Sequence, residues 1–534
     1  MTSVTSKAAL GLDFGTLSVR ALLVRLDGVE LAEKTVEYPH GQILDQLPGT
    51  GESLPPDFAL QHPQDWLESA ALATRSALQQ AEIAPEEVVG IGVDFTSCSM
   101  LPAKSDGTPL CLVPEFAGEK YAWPKLWKHH AAKSQTDRIN EVARERSEDW
   151  LRRYGGVIGL EWFFPKVLET LQNAKSAYDA TEVWLEAGDW LVWQLVGGEA
   201  DSLPRSTCQA GYKAMWNAES DYPSPEYFAA VDPEFENVLD KMPGRMCAPG
   251  TCAGELTAEQ ADRLGLPAGI PVSAAIIDAH AAVPGVGAAD AEALVMVMGT
   301  SSCHMLNAKQ EKFVPGVAGI VKDGILPGFY GYETGQAAVG DAFDWIRRLV
   351  GHRDYQNLAE KSRALPPGAE GVACMDWFNG CRTPLMDGHL TGQFTGLTLN
   401  HGPEHLYRAA MEASAYGLRW IVDLLREHDV PVTRLIASGG LPHHNRDMVQ
   451  IYANVLGETI EIHPSRQGPA LGAAILGALA ASDRTGFSSV QEAVEAMTSA
   501  AGTNILVEPE AEPTKQYIPL YQQYREEAER LSQK

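Results

Sequence analysis

Asp13-Phe14-Gly15-Thr16 ends an apolar stretch with a carboxylate and a glycine–threonine turn, and Met298-Gly299-Thr300-Ser301 offers the same kind of turn in the second half of the chain. Such a turn aims successive backbone N–H groups, joined in the first case by the Thr16 and Ser18 hydroxyls, at one point suited to phosphate oxygens. Gly15, Thr16, Ser18, Gly299 and Thr300 are therefore candidate polyphosphate contacts. Asp13, at a strand end, is placed to hold Mg²⁺ directly or through water. Ala275–His280 is an apolar strand ending in Asp278. An aspartate there either caps the following helix or takes the proton from an alcohol attacking a γ-phosphate. Its neighbours are small or apolar and supply no cation to neutralise it, which favours the base. Gly439-Gly440-Leu441, followed by Asn445, joins a strand to a helix; bare backbone there lets an adenine lie flat against the chain. A plain strand–helix turn is the alternative.

These residues need strands to carry them, and the pattern supplies the strands twice. Ala8–Asp13, Ser18–Leu26 and Glu30–Tyr38 read as a three-strand meander with a hairpin turn at Asp27-Gly28. Ala293–Met298, Ser302–Asn307 and strands around Gly319–Val321 and Phe329–Tyr332 repeat the plan. Two such units imply two domains of like fold. Gln64–Ala81 and Glu404–His428 have helical periodicity, Val88–Asp94 and Arg434–Ser438 read as buried strands, and Thr257 caps a helix running to Leu264. Residues 513–534 form a terminal helix docked through Tyr517, Leu520, Tyr521 and Tyr524. The expected division is 1–290 and 291–534, with a Trp- and Lys-rich insertion over about 117–236 of the first domain.

The 534 residues carry 42 Lys and Arg against 70 Asp and Glu, a formal net charge of −28. Nucleic acid and anionic membranes repel such a surface, so neither is an expected partner. An anionic substrate must be held locally, by backbone N–H groups and a metal ion. Residues 1–9 lack the apolar core of a signal peptide, and Ala470–Ala481, small, apolar and broken by glycines, is too short to span a bilayer. The eight cysteines are scattered without zinc spacing, as expected of free thiols in the cytoplasm. There is no GxxxxGK[ST], GxSxG, HExxH or usable CxxC motif, and no GxGxxG after the first strand. The adjacent pairs His129-His130 and His443-His444 point apart on regular structure and are not expected to share a metal.

The two glycine–threonine turns and Gly439-Gly440-Leu441 resemble, in order, the two phosphate motifs and the adenosine motif of the FGGY carbohydrate kinases. Glu161-Trp162-Phe163-Phe164-Pro165-Lys166 is similar to the family's N-terminal signature, and Gly392–Leu397 continuing to His405–Glu412 to its C-terminal one. After the strand at 91–94, a glycerol kinase would show Arg-Glu and a xylulose kinase Gln-Met-His. Val93–Met100, Leu126–His130, Ala210–Lys213 and Gly331–Gln336 are instead similar to the branch that phosphorylates L-ribulose. The resemblance implies an α/β chain of two actin-like (ribonuclease H-like) domains closing on an interdomain cleft, with ATP on the C-terminal domain. It implies ATP- and Mg²⁺-dependent transfer to the C5 hydroxyl of a ketopentose, L-ribulose first, as in L-arabinose catabolism. Ser97, Trp127, Lys213, Asp278 and Glu333 would line the sugar site, with Gly340, Gly439, Gly440 and Asn445 joining the phosphate turns at ATP. Ser97 departs from relatives that carry Ala or Gly, which bears on sugar preference. The alternatives are a family member acting on D-ribulose, xylulose or a polyol, and a non-catalytic actin-like ATPase that leaves Asp278 without a role. A homodimer is compatible with the sequence, which carries no signal for oligomeric state.

Overall fold

The computed structural model describes residues 6–351 and 355–532. Alternating and continuous apolar runs place strands where the pattern predicts them. β1 (Ala8–Phe14), β2 (Ser18–Arg25) and β3 (Glu30–Glu37) form an antiparallel meander. α1 (Pro63–Ala81) covers it, burying Trp66. β4 (Val88–Phe95), buried at every residue, runs parallel to β1 and sets Asp13 beside Asp94 and Phe14 beside Phe95. β5 (Cys252–Glu255), β6 (Pro271–Ser273) and β7 (Ile276–Ile277) complete the sheet in the order β3-β2-β1-β4-β6-β5, with β7 pairing the end of β4.

Three helices between β4 and β5 carry site elements: α2 (Phe163–Asn173), α3 (Ala187–Val196) and α4 (Thr207–Lys213). Within 117–236, α2 and its neighbours build their own aromatic core around Trp150, Tyr154, Phe164, Tyr227 and Phe228. α3 instead sends Trp190, Leu191 and Val192 into the core beneath the first sheet. β7 runs straight into α5 (Asp278–Gly285).

The second half repeats the arrangement. β8 (Ala293–Met298), β9 (Ser302–Ala308), β10 (Gly319–Lys322) and β11 (Tyr330–Gln336) form the antiparallel part, and α6 (Gly340–Leu349) follows. α7 (Pro403–Glu427) leads to β12 (Arg434–Ser438), which lies parallel to β8. After α8 (Arg446–Leu456), β13 (Ile460–Ile462) and β14 (Ile505–Val507) finish the order β10-β11-β9-β8-β12-β13-β14. In both sheets an antiparallel meander is extended through its first strand by parallel strands and closed by an antiparallel edge strand, so the chain is α/β with two actin-like halves. The terminal helix α10 (Ala511–Ser532) docks through tyrosines, Tyr517 on Glu412 at 2.9 Å and Tyr524 on Asp376 at 2.8 Å. Among the described residues no helix is long and apolar enough to cross a membrane.

The small-residue stretch near 470 has a packing role. It forms α9 (Gly468–Ala480), which follows β13 yet lies against β1, β4 and α5 of the first half. Backbone meets backbone there: a Cβ built on Gly92 falls 1.7 Å from the Ala473 carbonyl oxygen, and one on Gly11 falls 2.0 Å from that of Ala470. From the helix side, a Cβ on Gly472 falls 1.7 Å from the Ala281 carbonyl oxygen. No rotamer change relieves contact with a carbonyl, so only glycine fits. Gly92→Ala is expected to lower folding stability by about 2–3 kcal/mol, read from the urea midpoint. Gly388→Ala, where an added Cβ meets nothing within 4 Å, serves as the comparison and should stay within about 0.5 kcal/mol of wild type. Equal midpoints for the two variants would refute the close-contact account.

Candidate active site

Each phosphate turn caps the strand that joins the two parts of its sheet. After β1, Gly15 N–H donates to the Ser18 carbonyl at 3.0 Å; after β8, Gly299 N–H donates to the Ser301 carbonyl at 2.9 Å. Both turns reach solvent: Thr300 is exposed, and Thr16 and Ser18 are half-buried. The first is tied at two points, with the Gln61 amide donating to the Thr16 carbonyl at 2.8 Å and the Trp127 indole N–H to the Thr16 hydroxyl at 3.1 Å. Trp127, 40% exposed, thus links the expected sugar wall to a phosphate turn.

The second turn is built on glycines. Gly340 N–H donates to the Gly299 carbonyl at 3.0 Å, and Asp341 N–H to that of Thr300 at 3.2 Å, so the start of α6 docks on the turn. A Cβ on Gly340 would fall 2.5 Å from the Gly299 carbonyl oxygen. Parallel pairing brings Val297 level with Ser438, so Gly439 packs on Met298 at φ 85, a backbone region that favours glycine. Gly299, Thr300, Gly340 and Gly439 therefore form one cluster, with Gly440 exposed beside it. Asn445 is buried and spent on structure: its side-chain oxygen accepts from Met448 N–H at 3.1 Å, capping α8, and its amide donates to the Tyr407 hydroxyl at 3.3 Å.

Three carboxyls gather at the ends of β1, β4 and β7. Asp13 meets Arg20 at 3.0 Å. Burial raises its pKa and Arg20 partly offsets this. Asp94 is fully buried beside it. Burial, then the Asp13 and Asp278 charges, hold Asp94 well above the usual carboxylate range. Asp278 is the first residue of α5 rather than its cap, and its carboxylate accepts from Ala279 N–H at 2.7 Å. Burial, then the neighbouring Asp13, push its pKa up to about 7. A cation at these strand ends meets only oxygen donors and would relieve the crowded charge, the setting that suits Mg²⁺.

The other group forms around Glu333, which β11 sends toward the first half. It is 3% exposed and takes Lys213 from α4 at 2.9 Å, His280 from α5 at 3.3 Å and the Arg382 guanidinium. Burial alone would raise its pKa, but Lys213, then Arg382 and His280, hold it well below the usual value. Lys213 is raised in turn: burial lowers it, but Glu333, with Cys98 and Glu161, more than offsets that. Lys213 and Arg382 also line a cavity of about 870 Å³ between the halves, with Glu161 and Trp162 on its wall. Ser97 is half-buried just after β4, next to Cys98 at φ 57.

Gln61, Asp94, His280 and Arg382 did not emerge from the sequence. Asp94 stands three residues before Ser97 and His280 two beyond Asp278, both of which did. Gln61 and Arg382 come from loops whose local sequence carries no signal. His40, His62 and Asp65 bring two ring nitrogens and a carboxylate oxygen within 4.8 Å of one another. The rings stack at 4.4 Å and 12°, so their in-plane lone pairs run side by side instead of converging on an ion. Asp65 takes the backbone N–H and a ring nitrogen of His40 at 2.9 and 2.8 Å, clasping the end of β3 to α1.

Two actin-like halves, a glycine-built phosphate turn on each, and a buried carboxylate beside an ion-paired cavity define a phosphotransferase that activates a substrate hydroxyl: a sugar kinase that uses ATP. The chain belongs to the FGGY family of carbohydrate kinases, whose N-terminal domain model matches residues 8–285 and whose C-terminal domain model matches 294–481. It is 43% identical over 532 residues to a ribulokinase of Geobacillus thermodenitrificans, covering 97% of this chain and 93% of that one. It is 41% identical over 535 residues to a ribulokinase of Mycolicibacterium smegmatis, covering 97% and 93%. Among solved structures, the ligand-bound xylulose kinase of Lactobacillus acidophilus superposes with a TM-score of 0.80 at 19% identity, covering 98% of each chain. The xylulose kinase of Rhodospirillum rubrum gives 0.79 at 22%, covering 98% of this chain and 99% of that one.

Glu333→Gln keeps the shape of the clasp and removes the charge that Lys213 and Arg382 require. The expected loss is about 3 kcal/mol of folding stability, read from the urea midpoint. A midpoint unchanged from wild type would mean the two cations are compensated elsewhere.

Proposed function

We propose that the chain transfers the γ-phosphoryl group of ATP to the C5 hydroxyl of L-ribulose, giving L-ribulose 5-phosphate. The observation that carries the chemistry is Asp278, a carboxylate whose pKa stands at about 7 beside the phosphate strand end and the Lys213–Glu333 pair. A base whose pKa lies near the working pH combines a useful deprotonated fraction with real basicity. The preference for L-ribulose draws support from the 43% identity, along nearly the whole chain, to a protein named ribulokinase.

In this mechanism Asp278 accepts the C5 hydroxyl proton as that oxygen attacks the γ-phosphorus. The N–H groups and hydroxyls of the Thr16 and Thr300 turns stabilise charge on the phosphate oxygens. Lys213 donates to a sugar hydroxyl and Glu333 accepts from one, fixing the ring-opened sugar; Trp127 packs on its carbon face, with Ser97 opposite. Gly340, Gly439 and Gly440 give the nucleotide a floor without side chains. Asp13, with Asp94 behind it, would hold Mg²⁺, which supplies countercharge to the β- and γ-phosphates. Domain closure over the cavity excludes water from the phosphoryl group. The division at about 290, between the spans matched by the two family models, assigns the sugar to 1–290 and ATP to 291–534. Eight free cysteines suit the cytoplasm.

A coupled ADP-release assay with L-ribulose, D-ribulose, L- and D-xylulose and glycerol tests the reading. L-Ribulose should give the highest kcat/KM, and a chain that no ketopentose stimulates is not this enzyme. Asp278→Asn should lower turnover by about 10²–10⁴-fold; retention of more than about a tenth of wild-type turnover removes Asp278 from the role of base. The base works deprotonated, so wild-type kcat/KM should fall roughly tenfold per pH unit below about 7 and level off above it. An acid limb that persists unchanged in the residual activity of Asp278→Asn would belong to another group.

A further inference from the structure

α2 carries a lysine that the chemistry above does not use. Lys166 is fully buried. Its ammonium donates to the Cys98 carbonyl and to the Leu126 carbonyl, each at 2.7 Å. Leu126 precedes Trp127, so its carbonyl belongs to the peptide joined to Trp127; Cys98 follows Ser97, so its carbonyl lies one residue beyond Ser97. The two segments are also stitched together directly, Met100 N–H to the Lys125 carbonyl at 3.0 Å and Lys125 N–H to that of Met100 at 2.9 Å. Cys98 stands at φ 57, a region residues with a Cβ rarely adopt, so this segment keeps its shape only while something holds it.

A buried ammonium is costly unless its donors are matched. Lys125, the neighbouring buried lysine, has a carboxylate for compensation, Glu169 at 3.3 Å, and donates to the Lys166 carbonyl at 2.9 Å. Lys166 spends its charge on two carbonyls from segments far apart in the chain. The charged groups facing it are Glu186, Glu161 and Lys125, with the Cys98 thiol, and burial lowers its pKa to about 8. It is therefore charged at neutral pH, and charge-assisted bonds hold carbonyls about twice as strongly as neutral ones.

We infer that Lys166 is a positioning residue for the sugar site, fixing the separation of Ser97 and Trp127 by gripping the carbonyl beside each. The inference rests on the proposed sugar reading of those two residues. It predicts a defect mainly on the sugar, because Lys166 bonds neither the glycine turns nor Asp278 and reaches a phosphate turn only through the Trp127 indole bond to the Thr16 hydroxyl.

Lys166→Met fills the same channel without a donor. It should raise the KM for L-ribulose by about 10- to 100-fold while kcat and the KM for ATP stay within about threefold. Lys125→Met removes a comparable buried charge that does not grip these carbonyls; it should lower the urea midpoint and leave the sugar KM within about threefold. A sugar KM unmoved in Lys166→Met, or moved equally in Lys125→Met, overturns the inference. Should Lys166→Met fail to fold, the wild-type enzyme decides: its sugar KM should be flat up to pH about 7 and rise several-fold by about 9.5, as the ammonium deprotonates. A flat KM across that range overturns the inference as well. Absence of any ketopentose-dependent ADP release by the wild type overturns the sugar-site reading itself, whereas normal turnover with an unmoved Lys166→Met KM overturns this inference alone.

Discussion

The structure depends on one contact in which backbone lies directly on backbone. α9 belongs to the second half in sequence yet rests on β1, β4 and α5 of the first, with glycines on both sides where a single Cβ would collide with a carbonyl oxygen. The strands it touches are those whose ends carry Asp13, Asp94 and the first phosphate turn, and the helix it touches begins with Asp278. A contact between main chains has no side-chain torsions through which to yield. The carboxyls at the strand ends are thereby held against the rest of the molecule as one rigid piece.

Charge follows the same logic of fixed geometry. The chain is strongly acidic, with net charge −28, yet its substrates include a polyanion. In the proposed site the N–H groups of two turns meet the phosphates, while several cations do internal work. Lys213 and Arg382 hold Glu333, Lys125 holds Glu169, and Lys166 holds two carbonyls. Exposed lysines around the cleft would attract phosphate without orienting it. Buried ones orient the polar groups of the proposed sugar site, and low dielectric makes each such contact stronger and each unmatched one costlier.

Much of this was legible in the sequence, for a physical reason. The strands of the meanders, and the parallel strand beside the second, are short apolar runs ended by a turn, so pattern and structure coincide at Ala293–Met298 and Arg434–Ser438. The glycine turns were visible because only a few residues form them. α9 was visible as an apolar stretch, but its role was not, since nothing local says that glycines on Gly11, Gly90 and Gly92 of distant strands await it. Gln61, His280 and Arg382 stayed hidden for the same reason: each acts through a partner remote in sequence, as Arg382 does on Glu333. Asn445 follows the adenosine-like glycines, yet the structure buries it as a helix cap, a use that nearby sequence cannot distinguish from ligand binding.

The clasp at Glu333 also says something about how the cleft works. Its carboxylate comes from the second half, while Lys213 and His280 come from the first, so the ion pair crosses the boundary that closure must move. Opening the halves at this point separates a buried carboxylate from two partners, and water must replace them. A ketopentose brings a row of hydroxyls that can donate to Glu333 and accept from Lys213 in the same space. In the proposed site, bound sugar would therefore supply to each half the hydrogen bonds that the other half provides in its absence. The backbone contact at α9 stays fixed on the far side of that exchange, which leaves the side chains around Glu333 as the part of the boundary able to register whether sugar is present.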